Sequence, residues 1–200
     1  MKKLKRGMTA GEVLAKLQSD PAYLARIKEQ ERIRDDRASQ WREAEIPLLA
    51  DLETTGTKVA SIWDLVNTSA KYEKAIPVLL KHLLLPYPDR VREGIARALA
   101  VPEARFAWPT LLAEYRKVRV GGVEGIRLGV KDGLAAAIAV TATESVLEEL
   151  IALAKDRSHG SSRLLLLSPL RKSKNQLAKQ ALRELATDPD LSKEIASWKN

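Results

Sequence analysis

Apolar residues in this chain recur at helical spacing, and the recurrence is itself repeated. Residues 91–100 read VREGIARALA and residues 130–139 read VKDGLAAAIA, with the same order of Val, cation, anion, Gly and apolar run. Helical spacing places two equivalent apolar faces on them, Val91, Ile95, Ala98 and Leu99 in one and Val130, Leu134, Ala137 and Ile138 in the other. The pattern predicts two helices that occupy the same position in successive structural units.

Each of these two helices carries a glycine at the same register position, Gly94 in one and Gly133 in the other. Glycine inside a helix costs ~1 kcal/mol relative to alanine. Because the cost is accepted twice at one register, we expect a close approach between neighbouring helices at both positions.

A second phrase marks the helices that alternate with these. IPLLADL, IPVLLKHL and WPTLLAEY begin at residues 46, 76 and 108, and each has proline as its second residue: Pro47, Pro77 and Pro109. Proline fits the first turn of a helix, so the phrases predict three helix starts. Residues 146–156 and 177–188 resemble two more such helices without the proline. The second helices are predicted over residues 59–67, 89–100, 124–140, 161–172 and 191–199.

Paired helices thus recur about every 30–40 residues, and one pair is too small to bury its own apolar face. Stacking of neighbouring pairs supplies a continuous core. The sequence predicts an all-α fold of about 11–12 helices, with a helical extension or cap over residues 1–44 and a repeat domain over residues 45–200. The extension is long, charged and poor in apolar residues.

Residues 88–99, PDRVREGIARAL, resemble the second helix of a HEAT repeat. In that family an Asp before the helix and an Arg on its first turn form a ladder between repeats, and Asp89 and Arg92 match this pattern. Lys131 and Arg163 take the place of the Arg in the following units, without the Asp. The resemblance covers residues 45–200 and implies a right-handed α-α superhelix of stacked hairpins whose second helices line a concave face.

Composition limits the chemistry that the chain can perform. Cysteine is absent, which excludes disulfides, thiolate metal sites and a cysteine nucleophile. No apolar stretch approaches the ~20 residues of a membrane-spanning helix, and no signal peptide is recognisable, so we expect a cytoplasmic protein. The pattern does not decide whether translation starts at Met1 or at Met8.

No catalytic or metal-binding motif stands out. His82 and His159 belong to different units and lack carboxylates at ligand spacing, so each is interpreted as a surface or helix-end histidine. Gly121, Gly122 and Gly125 lack the preceding strand of a phosphate-binding loop and are interpreted as part of an inter-helix loop. We therefore expect no enzymatic activity, no cofactor and no metal.

Positive charge is the remaining feature. The net charge is +8, and residues 157–183 contain seven Lys or Arg and no Asp or Glu. Such a stretch attracts phosphates or acidic protein surfaces, unless it is only a solvated rim. The candidate binding cations are Arg90, Arg97, Arg127, Lys131, Arg163, Arg171 and Lys172.

Two functions fit these features. The first is a non-catalytic scaffold that recognises a protein partner on its concave face. The alternative is a nucleic-acid-binding protein, with base-excision chemistry if it resembles those HEAT-like DNA glycosylases that hold a damaged nucleotide with Trp and Asp. Trp63 and Asp64 are adjacent on a predicted helix and so point about 100° apart, which favours a packing role for Trp63.

Overall fold

A computed structural model describes residues 9–66, 68–119 and 129–198 of the chain. Across these ranges the secondary structure is helical, without a β-strand, which confirms the all-α prediction. The α-helices are α1 (Ala10–Ser19), α2 (Pro21–Thr54), α3 (Trp63–Val66), α4 (Ile76–Leu83), α5 (Asp89–Ala98), α6 (Trp108–Lys117), α7 (Val130–Thr141), α8 (Leu147–Lys155), α9 (Arg163–Lys172), α10 (Gln176–Leu185) and α11 (Ser192–Ser197). Four 3-10 helices lie at Glu73–Ala75, Pro102–Ala107, Glu144–Val146 and Arg157–Ser162.

The chain divides into two compact units, residues 1–43 and 44–200. In the first unit, none of the side chains described between residues 9 and 43 is buried. Its surface carries local ion pairs, such as those that Arg32 makes with Glu29 at 2.7 Å and with Asp36 at 2.9 Å. This exposure agrees with the sparse apolar pattern of the sequence.

The second unit contains four successive helix pairs, here called hairpins, α4–α5, α6–α7, α8–α9 and α10–α11, and in the first three the two helices pack extensively on each other. The extensive contacts between described helices join the two members of a hairpin, or helices of neighbouring hairpins. Among the second helices, α3 packs on α5, α5 on α7, and α7 on α9, while the first helix α8 packs on α10. Hairpins thus contact one another in the order in which the chain builds them.

The two apolar faces read from the repeated phrase form part of the core. All eight of their side chains are at most 5% exposed: Val91, Ile95, Ala98, Leu99, Val130, Leu134, Ala137 and Ile138. The predicted close approaches are present as well. A Cβ atom on Gly133 would lie 3.0 Å from the Glu93 carbonyl oxygen, and one on Gly94 would lie 2.6 Å from Ile62 Cγ2. The glycines therefore allow α3, α5 and α7 to pack tightly against each other.

The proline phrases gave two correct helix starts and one wrong one. Pro77 and Pro109 lie in the first turns of α4 and α6. Pro47 instead lies inside α2, which continues to Thr54. The continuous helix puts Glu45, Leu48 and Leu52 on one buried face. Burial of these two leucines at 0% exposure offsets the hydrogen bond that proline removes from the helix.

Candidate binding surface

Three cations occupy equivalent positions at the start of successive second helices: Arg92, Lys131 and Arg163. Each donates to a carbonyl near the end of the first helix of its own hairpin. Arg92 Nε reaches the Leu83 oxygen at 3.2 Å, Lys131 Nζ reaches the Tyr115 oxygen at 2.8 Å, and Arg163 Nη1 reaches the Ala154 oxygen at 3.3 Å. Since the last carbonyls of a helix lack partners within it, these cations cap α4, α6 and α8.

The same three cations also reach forward to the next hairpin. Arg92 Nη2 lies 2.5 Å from Glu114 Oε2 on α6. Lys131 Nζ lies 3.1 Å from His159 Nδ1. Arg163 donates to Asp188 and to Asp190, each at 2.9 Å, between α10 and α11.

This arrangement is a ladder between hairpins, but its partners are not the expected ones. Asp89 is exposed in the first turn of α5, whose N-cap is Pro88, and makes no bond to Arg92 among the described contacts. Arg92 is paired instead with Glu114 of the next hairpin.

Two of the candidate binding cations belong to this ladder and do not face solvent. Lys131 is 9% exposed and Arg163 is 0% exposed. Hydrogen bonds from Arg163 hold the pKa of Asp188 at about 2, and burial lowers the pKa of Lys131. Because their donors are already used inside the protein, the two cations link hairpins and are not available to a partner, contrary to the prediction.

Arg90 and Arg97 lie on α5 on either side of one buried carboxylate. Arg97 Nε donates to Glu93 Oε1 at 2.8 Å, and Arg90 Nη1 lies 3.7 Å from Glu93 Oε2. Glu93 is only 3% exposed. The guanidinium carbon of Arg90 also lies 3.5 Å from the ring centroid of Trp63, a cation–π contact. Glu93 therefore neutralises part of the positive charge of the two arginines, and these contacts fix the positions of their side chains.

Further carboxylates border this cluster. Burial raises the pKa of Asp132, on α7, although the charge of Arg97 opposes the rise. Burial likewise raises the pKa of Glu45, which accepts a hydrogen bond from Ser61 Oγ at 3.2 Å. Positive and negative groups thus alternate around α5.

When α5, α7 and α9 are aligned at the three ladder cations, equivalent positions form one row along these second helices. We call this row the second-helix face, and it comprises Arg90, Glu93, Arg97, Asp132, Ala136, Leu164, Ser168 and Arg171. It is mixed in charge on α5 and α7, and it becomes apolar and basic on α9.

Arg171 and Lys172 are exposed in the last turn of α9. The guanidinium carbon of Arg171 lies 4.8 Å from the ring centroid of Trp198. Within the described ranges neither cation forms an ion pair. The remaining candidate, Arg127, lies outside the described residues, as does the glycine-rich loop over residues 121–125.

Both histidines have partners that the sequence analysis missed. His82 is 2% exposed, with Asp51 Oδ2 2.9 Å from its Nε2 and Tyr87 Oη 2.6 Å from its Nδ1. His159 is 6% exposed and accepts from Lys131. Neither is therefore a surface histidine, whereas the helix-end alternative is confirmed for His82, which lies in the last turn of α4. Asp51 and His82 are 31 residues apart, close to the repeat period, and that spacing is the signal that identifies stacked partners.

The described part of the chain contains no group of three or more His, Asp or Glu residues that could hold a metal ion. None of its helices combines the length and the apolar character required to cross a membrane. No protein-family model, curated protein or solved structure matches the chain.

Proposed function

We propose that residues 45–200 form a HEAT-like α-solenoid, a right-handed superhelix of stacked hairpins, that binds a protein partner on its second-helix face without catalysis. The order of contacts supports the architecture, since α3 packs on α5, α5 on α7, and α7 on α9. The glycine contacts and the ladder support it too, because both recur from one hairpin to the next. In a HEAT-like solenoid the second helices line the concave surface, which is where such a partner would lie.

The observation that carries the choice of a protein partner is the position of Glu93 between Arg90 and Arg97. A nucleic-acid surface binds phosphates with cations that are free to replace counterions. On α5, Arg90 and Arg97 are paired with Glu93, and on α7 the second-helix face carries the carboxylate Asp132. A surface with alternating charges complements the mixed charges of a polypeptide.

Nucleic-acid binding remains the second candidate, on one specific observation. Five exposed cations of α9, α10 and the loop between them form no ion pair within the described ranges: Arg171, Lys172, Lys174, Lys179 and Arg183. The base-excision variant has less support. Asp64 accepts from the amides of Ala60 and Ser61 at 2.9 and 3.0 Å, and Arg90 covers one face of Trp63.

A DNA titration separates the two candidates. We expect labelled duplex DNA to bind weakly or not at all at about 50 and about 200 mM salt, because the cations of α5 are paired. Capture on the immobilised chain should still retain a protein after nuclease treatment.

The opposite outcome is steep salt-dependent DNA binding whose slope falls by about one when Lys179 is changed to Gln, with no protein captured. The control is Arg97→Gln, which removes a cation that is already paired with Glu93. That result would reject the protein-binding proposal in favour of nucleic acid.

A further inference from the structure

Two open cavities flank α9 and share two of its residues. The first, of about 560 Å³, lies between α9 and the end of α7 and includes Val140, Ser168 and Lys172 in its lining. The second, of about 480 Å³, lies between α9 and α11 and is lined by Leu164, Ser168, Arg171, Lys172, Glu194 and Trp198. We call the two together the α9 groove. Ser168 and Lys172 line both cavities, so the two cavities are adjacent.

The lining of the groove is apolar at several points. Val140 is 39% exposed at the end of α7, and the first cavity also reaches Leu147 and Leu150 on α8. In the second cavity, Leu164 and the Trp198 ring line the wall. An apolar side chain that enters either cavity is transferred from water to an apolar surface, and this transfer is favourable.

The charges of the groove are unevenly satisfied. Its two acids already accept internal hydrogen bonds: Glu144 from Ser173 Oγ at 2.7 Å and Glu194 from Trp198 Nε1 at 2.9 Å. Its cations are Arg105, Arg171 and Lys172, and none of them forms an ion pair within the described ranges. The donors available to a ligand are therefore positive, and the groove complements a carboxylate-bearing partner.

A peptide fits this groove better than a nucleic acid does. Single-stranded nucleic acid is held by stacking on exposed aromatic faces together with a run of cations. Here the one aromatic ring of the lining, Trp198, already has Arg171 over it, and the other apolar lining residues are aliphatic. Apolar cavities beside cations are suited to a segment that alternates apolar and acidic side chains.

We propose that the protein partner presents an acidic segment with interspersed apolar side chains, and that this segment lies in the α9 groove. The apolar side chains enter the two cavities, and the carboxylates meet Arg105, Arg171 and Lys172. This inference rests on the proposed protein-binding function and specifies which part of the second-helix face the partner occupies and with what chemistry.

The test uses the full chain and a fluorescent peptide of about twelve residues composed of Glu, Leu and Ser. Three further probes are compared with it: the same peptide with Leu replaced by Ser, the same peptide with Glu replaced by Lys, and single-stranded DNA of similar length. We expect the first peptide to bind at least about tenfold more tightly than each of the others.

Variants locate the binding. Lys172→Glu reverses the charge shared by both cavities and should weaken peptide binding about tenfold. Ser168→Trp places a large side chain where the two cavities meet, and it should weaken peptide binding without any change of charge. The matched control is Arg183→Glu, an exposed and unpaired cation on α10 that lines neither cavity, and it should change the affinity less than about twofold. Equal melting temperatures establish that the variants are folded.

The inference is overturned if Lys172→Glu and Arg183→Glu have equal effects, or if DNA binds more tightly than every peptide. Its failure is distinguishable from failure of the proposed function. A protein partner that crosslinks to α7 at Ala136 while no acidic peptide binds the groove leaves the function standing and removes only this inference. Binding of DNA alone removes both.

Discussion

Arg163 shows how a single residue changes its role once its partners are known. Its neighbours in sequence contain no acid, so it reads as part of a basic surface. In the folded chain it lies at 0% exposure with Asp188 and Asp190, which come 25 and 27 residues later in the next hairpin. A charge buried in this way is stabilised by its partners, and its removal leaves the buried Asp188 with Arg157 as its remaining cation.

Arg163→Met should lower the free energy of unfolding by about 3 kcal/mol, because Asp188 loses its buried partner and the carbonyl oxygens of Ala154 and Gly160 lose their donor. Urea unfolding followed by circular dichroism measures the loss. The matched control is Arg183→Met, which removes an exposed cation and should change stability by less than about 0.5 kcal/mol. Equal effects of the two substitutions would show that Arg163 is not a link between hairpins.

A second prediction at the residue scale concerns pH. Burial, and then the charge of Lys131, lower the pKa of His159 below its usual value of 6.5. The unfolded chain therefore takes up this proton at a higher pH than the folded chain does, so stability is lost as pH falls below about 6.5. A protonated His159 also cannot accept the hydrogen bond from Lys131 Nζ.

His159→Gln should remove this part of the pH dependence, since a glutamine oxygen can accept from Lys131 but does not titrate. Urea unfolding at pH 5 and pH 7 compares the two proteins, and the loss of stability between them should be larger in the wild type. If both proteins lose the same amount between these pH values, His159 is not the group responsible.

At the scale of the helices, Gly94 tests the close packing of α3 on α5. Gly94→Ala should destabilise the protein by about 1–3 kcal/mol, although alanine favours helices. The reason is that the added methyl would lie 2.6 Å from Ile62 Cγ2, so α3 or its side chains must shift. Chemical denaturation measures the change.

The control for this substitution is Gly129→Ala at the N-cap of α7, where an added Cβ meets nothing within 4 Å. Gly129→Ala should lower the free energy of unfolding by no more than about 0.5 kcal/mol, the effect of a weakened helix cap. An increase in stability on Gly94→Ala would mean that helix propensity outweighs packing at this contact.

Helix positions were largely predictable from sequence, because apolar periodicity and helix-start prolines act locally. The register of Val91 and Val130 gave the core faces of α5 and α7, and Pro77 and Pro109 gave two helix starts. The helix start predicted at Pro47 was wrong because the residues around Pro47 resemble those around Pro77 and Pro109. What keeps α2 helical there is the burial of its apolar face, which depends on residues distant in sequence. The ladder pairings were hidden for the same reason: Arg92 meets Glu114, which is 22 residues away.

At the scale of the whole molecule, residues 44–200 form a compact unit in which neighbouring hairpins bury each other's apolar faces. By contrast, the described side chains of residues 9–43 are not buried. A chain truncated to residues 44–200 should therefore keep its free energy of unfolding to within about 1 kcal/mol, and unfold in one cooperative transition. A truncated chain that lacks a cooperative urea transition would show that residues 1–43 are required for the core.

The second-helix face is the other feature of the whole molecule, and no single hairpin provides it. Arg90, Ala136 and Ser168 lie on three successive second helices. A partner on this face would contact several hairpins at once, and loss of one hairpin contact would then weaken its binding without abolishing it.

Site-specific photo-crosslinking tests the central claim most directly. A benzophenone amino acid replaces Ala136, on the second-helix face, or Ala152, which is exposed on the first helix α8, and each chain is irradiated in its native host. We expect a crosslinked polypeptide from position 136 and none from position 152. Crosslinks to nucleic acid alone, or equal polypeptide yields from both positions, would contradict protein recognition by the second helices.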